Sequence, residues 1–266
     1  MIDLGYLYSG RTLNIAHRGA SGHAPQNTLA AFLLAAEMGA DGIELDVHLS
    51  ADGEAVVIHD DTVDATTDGH GRVREMTLAE LKALDAGNWF DPRFAGERIP
   101  TLQEVFDAAG HRLRLINVEI KVEAEILRRF APQNDNSDAL IREVVRLIED
   151  HDMLQRVIVS SFSPASLRRV RRLNRHIPLG LLYAPAETAL FPTLMRLLGT
   201  PYDALHPHFQ MVHARLLQAA HRRGRPVNVW TVNDVAEMRR MCELGVDGII
   251  TNYPDRLRDV LEGREA

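Results

Sequence analysis

Short runs of β-branched and aliphatic residues alternate along the whole chain with stretches whose apolar positions recur every three to four residues. The first pattern is that of buried strands, the second that of amphipathic helices. Strands are predicted to begin near Leu13, Gly42, Leu113, Val157, Leu179, Asp203, Val227 and Gly248. Helices are predicted over Thr28–Met38, Ser137–Glu149, Ala165–Leu173, Ala214–Arg222 and Val235–Glu243, several with Gly or Pro just past the end. Regular βα alternation argues for parallel strands joined by crossover helices, and eight such strands close most simply into a (β/α)8 barrel. No sequence repeat accompanies the alternation.

Residues 52–100 break the rhythm. The stretch is too long for a βα loop, is rich in Gly, Asp and Thr turns, and carries a short strand at Ala55–Ile58 and a helix over Leu78–Leu84. Its apolar content is too small for a separate core. The expectation is an insertion after the second strand, lying over the barrel mouth, with residues 1–266 forming one domain.

A chain of 266 residues, 45% of them hydrophobic, suits one barrel of this size. The formal net charge of −7 makes the average surface repel phosphate backbones, so nucleic-acid partners and anionic membranes are disfavoured. Any phosphate must be met locally. Cys242 is the only cysteine, which excludes an internal disulfide framework and a thiolate metal cluster and fits a reducing compartment. The opening MIDLGYLYSG lacks the basic start and apolar stretch of a secretory signal, and no later segment offers the ~20 apolar residues that span a bilayer. A cytoplasmic protein without membrane insertion is expected.

Barrels of this class do their chemistry at the C-terminal ends of the strands. Reactive side chains gather there: His17-Arg18-Gly19, then Glu44 and Asp46, Glu119 and Lys121, Ser160-Ser161-Phe162, His206, Trp230-Thr231 and Thr251-Asn252. Residues two apart on a strand share a face at a spacing of ~6.6 Å, so Glu44 with Asp46, and Glu119 with Lys121, project together into the mouth. Three carboxylates without a thiolate suit a hard divalent cation, Mg²⁺ or Ca²⁺. The competing reading is a buried ion-pair network, but a single lysine cannot neutralise three acids.

His17 and His59 form a natural proton-transfer pair, because imidazole titrates near neutrality and a phosphodiester needs both a base and an acid. Arg18 and Lys121 supply positive charge for a phosphoryl group. Phe162 and Trp230 are candidate apolar walls for a glycerol or alcohol moiety, although aromatics near strand ends also serve as packing. Other features read as structural. The run Arg168-Arg169-Val170-Arg171-Arg172 has the spacing of a solvated helix face, His48 lies late in its strand toward the rim, and Ser160 and Ser161 lack a nucleophile-elbow context. Three other readings of the barrel stay open: Lys121 as a Schiff-base residue, a phosphate-binding or regulatory barrel without turnover, and a phospholipase acting on lysolipids or sphingolipids, which would need an apolar patch at the mouth that the sequence does not identify.

At this point the sequence resembles the glycerophosphodiester phosphodiesterase family over nearly its whole length. The resemblance rests on His17-Arg18-Gly19-Ala20-Ser21-Gly22, Pro25-Gln26-Asn27-Thr28, Gly39-Ala40-Asp41 with Glu44 and Asp46, Asp52-Gly53, His59-Asp60 and Thr66-Thr67-Asp68-Gly69. It continues through Ile99-Pro100-Thr101-Leu102, Glu119-Ile120-Lys121, Ser161-Phe162, Trp230-Thr231-Val232-Asn233 and Asp247-Gly248. The resemblance implies a TIM barrel with a small insertion that hydrolyses small glycerophosphodiesters to glycerol 3-phosphate and an alcohol with a divalent cation. It implies His17 and His59 as the acid-base pair, Glu44, Asp46 and Glu119 as metal ligands, and Arg18 and Lys121 as phosphate holders. Gln26 stands where the family usually has Glu, Ala65 where it often has Arg, and Asn252 where it often has Asp.

Overall fold

A computed structural model of the protein describes residues 2–8, 10–121, 135–184 and 199–264. The strands are β1 (Leu13–His17), β2 (Gly42–Leu49), β3 (Ala55–Val57), β4 (Leu115–Ile120), β5 (Val157–Ser161), β6 (Leu179–Tyr183), β7 (Ala204–Pro207), β8 (Asn228–Val229) and β9 (Gly248–Thr251). They hydrogen-bond in the order β7-β6-β5-β4-β2-β1-β9-β8. The circuit is completed where β7 meets β8: the Leu205 amide donates to the Pro226 carbonyl at 2.9 Å, and the Phe209 amide to the Trp230 carbonyl at 3.0 Å. Eight parallel strands thus enclose a (β/α)8 barrel. β3 is the exception, running antiparallel to β2 with Val57 opposite Val47.

The helices are α1 (Leu29–Glu37), α2 (Leu78–Ala83), α3 (Leu102–Ala109), α4 (Asp135–Asp150), α5 (Pro164–Leu173), α6 (Ala214–His221), α7 (Val235–Leu244) and α8 (Pro254–Leu261). The predicted helices coincide with α1, α2 and α4 to α7, differing only at their ends, where capping decides the boundary. Thr28 is the cap of α1 rather than its first turn, its hydroxyl accepting from the Ala31 amide. The strands predicted near Leu113, Asp203 and Val227 begin one or two residues later. Helices α3 and α8 were not anticipated. α3 did carry a signal, since Thr101 and Glu104 form a reciprocal capping box ahead of Leu102, Val105, Phe106 and Ala109, the helix's buried stripe.

Strand alternation sorts the side chains into two sets. Outward-facing Ile43, Leu45, Val47, Val118 and Ile120 join Phe32 and Phe106 in the layer between barrel and helices. Phe32 and Phe106 are fully buried, each contributing about 1.5–3 kcal/mol. Inward-facing Leu13, Ile15, Leu115, Ile158 and Ile250 fill the lower barrel together with Leu4 and Leu7 of the N-terminal segment. Higher up, the inward positions of β2 and β4 change from apolar to charged, and the site begins there.

Within residues 52–100, Val56, Ile58, Val63, Val73, Leu81, Ala86 and Ile99 form a small cluster of their own. Two of the four arginines of α5 are tied to acids on neighbouring elements, Arg169 to Asp138 and Arg171 to Asp203. Only Arg172 is exposed, so the run forms a partly buried, ion-paired helix face rather than the fully solvated one expected. Among the described residues no helix is long and apolar enough to cross a membrane.

Candidate active site

The chain leaves β1 through a turn that only certain residues can make. Arg18 and Gly19 both have left-handed backbones, with φ of 55° and 80°. A Cβ on Gly19 would also lie 2.6 Å from the backbone carbon of Ala31 in α1, so glycine is required twice over. The strained Arg18 backbone directs its amide to Glu44 Oε2 at 3.1 Å and its guanidinium to Asp46 Oδ2 at 3.2 Å. The following Pro25-Gln26-Asn27-Thr28 loop supports both. Gln26 Oε1 accepts from Arg18 Nη1 at 2.9 Å, and Asn27 Nδ2 donates to Asp46 Oδ2 at 2.9 Å.

Strand register brings the acids together: Glu44 lies opposite both His17 and Asn117, and Asp46 lies opposite Glu119. One oxygen from each of Glu44, Asp46 and Glu119 falls within 4.8 Å of the others. Lys121 reaches back to Glu119 Oε1 at 3.0 Å and Asp46 Oδ1 at 3.4 Å. Three buried acids therefore face two cations, Arg18 and Lys121. Burial, together with the charges of Asp46 and Glu119, pushes the Glu44 carboxyl well above the usual carboxylate range. Burial alone would also raise Asp46, but Lys121 and Arg18 hold it below that range. Burial would depress Lys121, yet Glu119 and Asp46 keep its ammonium above the ordinary lysine value. A lysine held charged in this way is poorly suited to attack a carbonyl, so the geometry argues against the Schiff-base reading.

The residues fit a divalent cation. The oxygen-only donor set is the one that Mg²⁺ and Ca²⁺ prefer, and the negative charge left over, expressed in the raised Glu44, is what such an ion would neutralise.

A cavity of about 120 Å³ opens above the acids. His17, Arg18, Glu44, His59, Glu119 and Lys121 line one side, and Phe162, Leu182 and Trp230 line the other. Every site residue anticipated from the sequence reaches this cavity except Asp46, which lies just behind it under Arg18 and Lys121. The Phe162 and Trp230 rings meet edge to face at 5.5 Å, and Trp230 Nε1 donates to the His206 carbonyl at 2.7 Å.

The two histidines have different partners. His17 Nδ1 donates to Asn252 Oδ1 at 2.7 Å, which leaves the Nε2 lone pair on the Glu44 side, 3.9 Å from Oε2. Burial and then the charge of Arg18 push its imidazole down to about 4. His59 enters from the loop after β3, with Nδ1 2.7 Å from Asp60 Oδ1. His206 contributes nothing to the cavity wall. It is fully buried below, its ring over Gly180 and its Nε2 3.1 Å from Asn228 Nδ2, and burial lowers it to about 3.

Several supporting residues escaped the sequence reading. His48, read as a rim position, bonds the His59 carbonyl through Nε2 at 3.0 Å and so anchors the loop that carries His59. Asn252 orients His17, and its own amide is held by Asn233 Oδ1 at 2.9 Å. Gln26 gives Arg18 a neutral acceptor, whereas Ala65 is exposed on the insertion. The signal for the first two was weak, because a polar residue near a strand end reveals its partner only after folding.

Residues 17–256 match the model of the Glycerophosphoryl diester phosphodiesterase family. A glycerophosphodiester phosphodiesterase of Caldanaerobacter subterraneus is 44% identical over 93% of this chain and 96% of its own. One from Bacillus subtilis is 32% identical over 95% and 87%. The solved structure of an Oleispira antarctica phosphodiesterase, in complex with the product sn-glycerol 3-phosphate, superposes with a TM-score of 0.83 at 30% identity, covering 96% of this chain and 99% of that one. A matching family model over most of the chain, relatives of this identity and a shared barrel converge: the chain belongs to the glycerophosphodiester phosphodiesterase family of hydrolases.

Proposed function

We propose that the enzyme hydrolyses small glycerophosphodiesters to sn-glycerol 3-phosphate and an alcohol, using a divalent cation, Mg²⁺ or Ca²⁺, held by Glu44, Asp46 and Glu119. The observation that carries this reading is the convergence of three buried carboxylates within 4.8 Å beside two imidazoles and two cationic side chains. The product bound in the Oleispira antarctica relative supports it. When bound, the cation neutralises charge on the phosphate and lowers the barrier to attack by a hydroxyl. Arg18 and Lys121 hold the phosphate oxygens, and Phe162 and Trp230 wall the organic part.

The partners of the histidines divide the proton transfers. His17, neutral, with its proton committed to Asn252, accepts a proton at Nε2 from the attacking oxygen, either a water or the neighbouring glycerol hydroxyl, in which case a water then opens the cyclic phosphate to glycerol 3-phosphate. His59, beside the Asp60 carboxylate, carries the proton that the leaving alkoxide takes up. The whole chain acts as one catalytic unit, with residues 52–100 contributing His59 to the barrel's site. Its lone Cys242 suits a cytoplasmic setting.

The test is release of glycerol 3-phosphate from a panel of glycerophosphodiesters, before and after EDTA and after restoring Mg²⁺ or Ca²⁺. Turnover abolished by chelation and restored by one of the ions is expected. Full activity in EDTA would refute the cation's role.

A further inference from the structure

Asn117 occupies a position that its own fold leaves unsatisfied. It sits on β4 two residues before Glu119, on the same inward face, and lies opposite Glu44 on β2. It is 1% exposed, yet neither its Oδ1 nor its Nδ2 has a hydrogen-bond partner. An unbonded buried carboxamide is destabilising, and native interiors avoid it unless something else meets the group. Other buried side-chain atoms lack a hydrogen bond too, but Ser160 and His206 do not reach the cavity wall, and Arg18, which does, is ion-paired through Nε to Asp46. Asn117 lies on that wall, between Glu44 and Glu119.

The chemistry of the amide narrows what it awaits. A metal ion would engage only Oδ1 and leave Nδ2 unbonded. A phosphate oxygen would engage only Nδ2. A hydroxyl both donates and accepts, and so satisfies both ends of the amide from one small group. We propose that Asn117 is a hydroxyl-binding residue of the catalytic cavity, holding a hydroxyl of the glycerol moiety or of a water on the cation. This assignment rests on the glycerophosphodiesterase reading, and it makes Asn117 a specificity or positioning residue that neither the carboxylate cluster nor the histidine pair includes.

The experiment compares wild type with Asn117→Leu, which keeps the volume and removes both polar atoms, and with Asn117→Ser, which retains a small hydroxyl. Melting temperature, Mg²⁺ binding by calorimetry, and kcat and KM are measured on a glycerophosphodiester and on bis(p-nitrophenyl) phosphate, a diester without a glycerol hydroxyl. The expected result is an Asn117→Leu protein that melts no lower than wild type but loses roughly 10- to 100-fold in kcat/KM on the glycerophosphodiester, with Asn117→Ser intermediate.

A loss confined to the glycerophosphodiester assigns the hydroxyl to the substrate. An equal loss on both diesters, with weaker Mg²⁺ binding, assigns it to water on the cation. Kinetics and Mg²⁺ binding within twofold of wild type would overturn the proposal, as would a lowered melting temperature with unchanged kinetics, which marks a merely structural amide. Should Asn117→Leu not fold, the same readings on Asn117→Ser decide. A wild type inert on every glycerophosphodiester would instead overturn the reading beneath the proposal.

Discussion

Glu44 and Asp46 are two positions apart on one strand and equally buried, yet the groups around them move them in opposite directions. Asp46 has Lys121, Arg18 and Asn27 against it, whereas Glu44 meets the charges of Asp46 and Glu119. His17 and His59 differ in their partners, one ring being oriented by a neutral amide and the other standing against a carboxylate. If these rings carry the protons, His17→Ala and His59→Ala each lower kcat by roughly 10²- to 10⁴-fold in glycerol 3-phosphate release. A variant that keeps near wild-type turnover removes that residue from the mechanism. Sequence position alone put the nine anticipated site residues at strand ends, and the folded chain gathers eight of them around one cavity with Asp46 just behind it, because strand pleat fixes which side chains face the barrel mouth. What they bond to was not legible in the sequence, because Gln26, Asn252 and His48 find their partners across 8, 235 and 11 positions of chain.

Among the elements, the β1–α1 connection is the most constrained. Gly19 combines a φ of 80° with a backbone contact that leaves no room for a Cβ, and the Ala20 amide donates to the Ala31 carbonyl at 2.9 Å. Gly19→Ala should therefore push the first turn of α1 away from the end of β1 and lower stability by roughly 1–3 kcal/mol. A urea titration measures this as a lower midpoint; an unchanged midpoint would mean that the turn relaxes at no cost. Periodicity located the parallel strands and most helices because each buries a regular stripe. It did not give the direction of β3, whose three residues pair antiparallel with β2 and thereby carry His59 over the cavity. A strand that short has too few positions for the pattern to specify a partner.

The whole barrel pays for polar residues in its interior, and His206 makes the consequence measurable. Its imidazole is lowered to about 3 by burial, against an ordinary value near 6.5 in the unfolded chain. Above pH 6.5 neither state binds this proton. As pH falls from 6.5 toward 3, the unfolded chain takes it up and the folded barrel does not, so stability falls by up to about 1.4 kcal/mol per pH unit. Below about pH 3 this group adds no further loss. Urea unfolding between pH 7 and 4 should show a shallower decline for His206→Gln than for wild type. Parallel profiles would show that the ring is already protonated in the folded state or is reached by solvent.

The eight-strand alternation, the parity that aims Glu44, Asp46 and Glu119 inward, and the glycine after Arg18 were all written in local pattern, because strand pleat and backbone sterics act over a few residues. The closure of β7 on β8, the antiparallel turn of β3, the pairing of His17 with Asn252 and the unbonded amide of Asn117 were decided only by the tertiary structure. Each depends on which distant segments the closed barrel brings face to face, and a linear pattern carries the faces of its elements but not the neighbours they will meet.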